Sequence, residues 1–221
     1  MLNIQLLANR AWPACVAGAV WAGSVLLSSG LAQTTMPAHD MSAMESHEHH
    51  HDMDMNAALK ERMVEVKPAS IPMVRDDGLS TTLDKEIAGN TPIVLAFIYT
   101  SCTTICPVTS QVLSNVQDLL QPDLGNVRII SVSIDPEYDT PARLHAYGER
   151  FGAKAQWRHY GGTLANSVAI QKLFNAYRGD KMNHVPLIFI NGGGKKAWLQ
   201  IEGFPTAQVL VKKIHGQMHG S

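Results

Sequence analysis

An α/β domain built on a central mixed β-sheet, flanked by helices and entered through an N-terminal β-hairpin, is the fold class this sequence predicts. Three observations carry the prediction. Continuous apolar runs at Ile93 to Tyr99, Val127 to Ile134 and Pro186 to Ile190 have the length and β-branching of strands covered on both faces. Segments with apolar residues at helical spacing follow or separate them. Turn-forming clusters such as DDG and NGGG punctuate the alternation. The 221 residues, 45% hydrophobic and 17% charged, suit one ordinary globular domain with extensions.

The elements follow in order from about Val64, where the folded part is expected to begin. Ile71 to Val74, the turn Asp76 to Gly78 and Leu79 to Thr82 form the hairpin, and LDKEIAG gives a helical turn stopped by Gly89. Ile93 to Tyr99 is the first buried strand. A helix from Val108 to Leu120 carries apolar residues at Val108, Val112, Leu113, Val116, Leu119 and Leu120. Val127 to Ile134 is the next strand, followed by helices from Pro141 to about Phe151 and from Ala165 to Tyr177. PLIFI, the NGGG turn and KKAWLQI read as a second hairpin, and Thr206 to His215 closes the domain as a helix. The order β-α-β-α-α-β-β-α behind a hairpin is the layout of a thioredoxin-like fold, here assigned to residues 64–217 with a short tail at 218–221.

The N-terminal third reads differently. Arg10, an apolar stretch from Ala11 to Leu27 and the small residues SSGLA predict a secretory signal over 1–32, cleaved after Ala32. The alternative is an uncleaved membrane anchor, although the apolar run is shorter than the ~20 residues a spanning helix needs. Membrane contact is expected only in that case, and export points to the periplasm. Residues 33–63 form a biased arm: MPAHDMSAMESHEHHHDMDM holds half of the ten histidines and half of the ten methionines, interleaved with acidic residues. It lacks the aromatic and β-branched residues a core requires. Thioethers suit Cu(I), and imidazoles with carboxylates suit Cu(II). Met36, His39, Met41, Met44, His47, His49, His50, His51, Met53 and Met55 are therefore candidate auxiliary copper-capturing groups, a solvated linker of biased composition being the plainer alternative. A net charge of -1 without a basic stripe gives no footprint for nucleic acid.

Cleavage would remove Cys15 and leave Cys102 and Cys106 as one CxxxC pair in an oxidising compartment. A bond between them closes too short a loop to constrain the unfolded chain much, so a purely stabilising staple explains the pair poorly. The motif falls where the Ile93 to Tyr99 strand meets the next helix, with Pro107 suited to that helix's first turn. Amides at a helix start favour thiolates. Two sulfurs four positions apart could clamp one metal ion or oxidise to a disulfide, and three intervening residues lean toward the wider bite. A structural zinc site would want four ligands, which the domain does not offer, whereas copper accepts two thiolates and an imidazole.

His184 is the candidate imidazole, because the loop before the PLIFI strand, marked by Pro186, faces the thiols in this layout. His145 and His159 are expected at the surface. In DPEYDTP, Asp139 or Thr140 before Pro141 is helix-capping chemistry, whereas Asp135 lies at a strand end that borders the site and is a candidate to orient a ligand or accept a proton from a thiol.

TSCTTICP, DPEYDTP and NHVPLIFI, in this order, resemble the three signatures of the SCO/SenC proteins, thioredoxin-like factors exported to the bacterial periplasm or anchored facing the mitochondrial intermembrane space. The resemblance spans about Ser70 to Gln217. It implies that Cys102, Cys106 and His184 bind one copper ion, as Cu(I), Cu(II) or both. It further implies that the protein delivers copper, or maintains thiols, during assembly of the dinuclear copper centre of cytochrome c oxidase. Asp135 matches a family position near the metal. Asn183 stands where the family often has an acidic residue, and TTI replaces a commoner acidic version within the cysteine motif.

Three functions are compatible with these features. A metallochaperone would hand copper to the copper-accepting subunit of cytochrome c oxidase or to another periplasmic cuproprotein, helped by a thiol reductant. A periplasmic thiol:disulfide oxidoreductase would attack with Cys102 and resolve with Cys106 as its catalytic pair. A copper buffer or resistance protein would bind mainly through the arm.

Overall fold

The computed structural model describes residues 59–120 and 127–219; the expected signal segment, Cys15 and the candidate copper-capturing residues between Met36 and Met55 lie outside them. The described chain folds into a mixed α/β structure with eight strands and five helices. In chain order these are β1 (Lys60–Glu65), β2 (Pro72–Arg75), β3 (Ser80–Thr82), α1 (Leu83–Ile87), β4 (Ile93–Ile98), α2 (Ile105–Leu119), β5 (Arg128–Ser133), α3 (Pro141–Arg150), β6 (Trp157–Gly161), α4 (Leu164–Leu173), β7 (Leu187–Asn191), β8 (Ala197–Glu202) and α5 (Ala207–His219). The strands form one sheet in the order β1-β8-β7-β4-β5-β6-β2-β3. β4, β5 and β6 run parallel, and the remaining pairings are antiparallel. This is a thioredoxin-like fold.

β4 is buried at every position because it lies between β5 and β7. Its side chains alternate between two cores: Leu95 and Phe97 join one with Phe174, Phe189 and Trp198, whereas Val94 and Ala96 join the other with Leu113, Val116, Leu210 and Ile214. In the first core Phe174 meets Phe189 and Trp198 edge-on at centroid distances of 5.1 and 5.2 Å. The second places α2 and α5 together. The turn between β7 and β8 needs its glycines: at Gly193 φ is +93°, and a Cβ there would lie 2.0 Å from the Asn90 carbonyl oxygen.

Two strands escape the sequence periodicity. β1 begins at Lys60, inside the stretch assigned to the arm, and pairs with β8 along the sheet edge; its residues are mostly exposed, so no apolar alternation marks it. β6, WRHYG, inserts between α3 and α4, where the sequence reading runs helix to helix. Its polar residues conceal the strand. His159, expected at the surface, is fully buried, which corrects that reading. It stacks near Trp157, and its Nδ1 lies 3.5 Å from the Asp76 carboxylate. That carboxylate also accepts from the His159 amide. The bond that anchors the strand to Asp76 on the hairpin turn is therefore the backbone one, since both ring nitrogens are buried without a hydrogen-bond partner of their own. His145 is exposed as expected, within 3.5 Å of Glu149 on α3.

Candidate metal centre

β4 ends at Ile98, and the loop from Tyr99 to Thr104 carries Cys102 into the start of α2, whose first turn holds Cys106 and Pro107. Proline costs nothing there, since the first amides of a helix have no partner within it. Thr104 occupies the cap position without making a side-chain cap. The sulfur of Cys102 takes that place instead, receiving hydrogen bonds from the Cys106 and Thr104 amides. The Cys102 amide in turn donates to the Tyr99 carbonyl at 3.1 Å.

Both cysteines are free thiols and buried. Burial raises the pKa of each, yet the outcomes differ. At Cys102 the two amides and the hydroxyls of Tyr99 and Thr104 outweigh burial and bring the pKa down to about 7. Cys106 lies deeper; burial and the neighbouring Cys102 sulfur push its thiol well above the usual range, against one hydrogen bond from the Tyr99 backbone. The pair is therefore one poised thiolate beside one retained thiol. Tyr99 touches both sulfurs, and burial followed by its bond to Cys102 pushes the phenol up to about 12. Its place at the end of an apolar strand conceals that role in the sequence.

His184 closes the short 3-10 turn Lys181–Asn183, its amide donating to the Lys181 carbonyl at 3.1 Å. Its ring is half-buried, with Nε2 3.2 Å from the Phe97 carbonyl oxygen on β4. A carbonyl only accepts, so Nε2 carries the proton and Nδ1 keeps the lone pair. Burial, partly offset by that bond, lowers the pKa to about 4 and keeps the ring neutral, the form that ligates metals. The structure thus brings the two thiols together and ties the imidazole to the strand leading to them. Among the described residues, no three His, Cys, Asp or Glu side chains form a group ready to hold a metal, so His184 stands apart from the sulfurs in this conformation.

Asp135 sits just past β5, and its Oδ2 accepts from Lys181 Nζ at 2.5 Å; that ammonium lies 5.7 Å from the centre of the Tyr99 ring. The second half of DPEYDTP divides its work. Thr140 caps α3 by accepting from the Arg143 amide, whereas Asp139 is only 2% exposed and accepts from the Thr100 amide, the Thr100 hydroxyl and the Ser133 hydroxyl. Asp139 thus pins the loop that carries Cys102. Capping chemistry explained the aspartate locally and hid this longer reach.

A thioredoxin-like sheet with a CxxxC pair at the β4 to α2 junction and a histidine on the turn before β7 defines the class: an α/β thiol protein with donors suited to a soft metal. Residues 73–219 match the SCO1/SenC family, and the chain belongs to it. A 55-residue segment is 40% identical to the SCO1 protein homolog of Bacillus subtilis, covering 25% of this chain and 28% of that protein. An 83-residue segment is 35% identical to the mitochondrial SCO1 homolog 1 of Arabidopsis thaliana, covering 37% of this chain and 24% of that one. These alignments span about a quarter of the curated relatives' length. Among solved structures, copper-bound Arabidopsis thaliana ScoI superposes with a TM-score of 0.61 at 20% identity, over 72% of this chain and all of that one. Copper-bound yeast Sco1 gives 0.60 at 18%, over 72% and 96%. BsSco, described with a disulfide switch, gives 0.60 at 22%, over 72% and 98%. These structural likenesses establish the shared fold. Among the described residues no helix is long and apolar enough to cross a membrane.

Proposed function

We propose that this SCO family member is an exported copper metallochaperone that binds one copper ion through Cys102, Cys106 and His184 and passes it on during assembly of the copper centre of cytochrome c oxidase. The supporting observation is the donor chemistry: a poised thiolate and a second thiol side by side, with a neutral imidazole tied to the strand that leads to them. Soft thiolates select Cu(I), and an imidazole completes a trigonal set with an open side through which an ion can be exchanged. The exported compartment supplies the acceptor, a cytochrome c oxidase subunit or another cuproprotein, and a thiol reductant keeps the pair open. Met36 to Met55 collect copper ahead of the domain. A Cu(I) and Cu(II) titration of the reduced protein, with each of the three residues replaced in turn, tests the reading. One ion per domain, lost with either cysteine and weakened by His184→Ala, is the expected result; full binding without His184 overturns the ligand set.

The asymmetry of the thiols favours one second reading, thiol:disulfide exchange, with Cys102 attacking and Cys106 resolving. Disulfide exchange that depends on both cysteines, together with copper affinity unaffected by His184→Ala, would support it over delivery.

A further inference from the structure

The segment from Asp135 to Asp139 touches both halves of the candidate centre. Asp139 holds the cysteine side, accepting from Thr100 Oγ1 at 2.5 Å, from the Thr100 amide at 3.2 Å and from Ser133 Oγ at 2.6 Å. Asp135 holds the histidine side through Lys181, which lies on the same turn as His184. The two carboxylates belong to one tight loop, since the Tyr138 and Asp139 amides both donate to the Asp135 carbonyl, at 3.0 and 2.9 Å. Burial separates the two attachments. Asp139 is 2% exposed, whereas in the ion pair the Lys181 side chain is 41% and the Asp135 side chain 13% exposed.

We propose that this loop is a two-armed bracket that sets the separation between the thiol pair and His184, with a fixed arm at Asp139 and a releasable arm at the Asp135–Lys181 ion pair. A buried carboxylate with three donors is expensive to detach, because each donor would be stranded away from water. A water-accessible ion pair is screened and weakly held. Motion that brings His184 to the sulfurs therefore occurs on the histidine side: the Lys181–Asn183 turn swings, the His184 Nε2 bond to the Phe97 carbonyl breaks with it, and the cysteine loop stays in place. Lys181 is a positioning residue in this scheme. It touches neither sulfur nor cargo, yet it travels with the imidazole because its carbonyl accepts the His184 amide. The proposal rests on the copper reading for its purpose and on the geometry alone for its mechanics.

The test is residue-resolved amide hydrogen exchange in the full-length, metal-free protein, read at Thr100 and His184, whose amides report on the two arms. Lys181→Met should accelerate exchange at His184 by about two- to five-fold, the worth of an exposed ion pair, and leave Thr100 unchanged. Raising the salt concentration should do the same to the unmodified protein. Asp139→Asn should accelerate Thr100 by about tenfold or more and leave His184 unchanged. Should that variant fail to fold, Ser133→Ala removes one of the three donors and should give a smaller change confined to Thr100. An unchanged His184 in Lys181→Met, or both amides moving together in either variant, overturns the bracket. Cu(I) loading followed in the same proteins should be faster in Lys181→Met at unchanged stoichiometry; slower loading overturns the releasable arm. Absence of Cu(I) binding in the unmodified protein would instead sink the copper reading and leave the exchange result to judge the bracket.

Discussion

The amide of Cys106 donates to the sulfur of Cys102, so the outer thiol of the pair caps the helix that contains the inner one. Together with the Thr104 amide and the Tyr99 and Thr104 hydroxyls, this bond outweighs burial and makes Cys102 the reactive member of the pair. Alkylation of the reduced protein, mapped to the CxxxC pair, should show Cys102 titrating near pH 7 and Cys106 protected in the native state. Tyr99→Phe deletes one hydrogen bond to the thiolate and should raise the midpoint by about one unit, roughly the worth of one such bond. An unmoved midpoint would show that the phenol does not support the thiolate.

His184 has a folded pKa of about 4 against an ordinary value of 6.5. Below 6.5 the unfolded chain binds a proton that the folded protein refuses, so stability falls as the pH drops from 6.5 toward 4. The loss from this residue should reach about 3 kcal/mol. Denaturant unfolding across that window should show the slope, and His184→Gln should flatten it.

Gly148 lies on α3 beneath the buried His159 ring, and a Cβ there would meet the ring's Cε1 at 2.9 Å. Alanine in a helix ordinarily stabilises relative to glycine by about 1 kcal/mol. At this position the overpacking should reverse the sign and cost about 1–3 kcal/mol, read as a lowered Tm. A raised Tm would mean that the His159 ring can move aside.

If the arm stores copper, deleting Met36 to Met55 should lower the number of Cu(II) ions bound per chain while leaving one Cu(I) at the proposed thiol centre. Metal counting after gel filtration, in the full chain and in the deletion, measures it. An unchanged count would rule the arm out as a copper store.

The apolar strands were legible because burial on both faces leaves an uninterrupted signature, and the cysteine motif because strand, loop and proline set its place at a helix start. Residues whose roles depend on distant partners were not. His159 looks like a surface residue until Asp76, far away in sequence, is seen against it. Asp139 looks like a cap until the chain brings Thr100 to it. Tyr99 is apolar by neighbourhood and polar by function. β6 is concealed by the same effect, because its polar side chains find partners only in three dimensions. The separation of His184 from the sulfurs also depends on the fold, since no local pattern specifies how far a turn stands from the end of a neighbouring strand.

The depth difference between the two sulfurs has a consequence for traffic. Cys102 is the more exposed of the two buried cysteines, 5% against 1%, so its sulfur is the atom a visitor from solvent meets first. A donor or acceptor therefore needs to engage only the outer atom to begin an exchange, and the inner one keeps hold until the handover is under way.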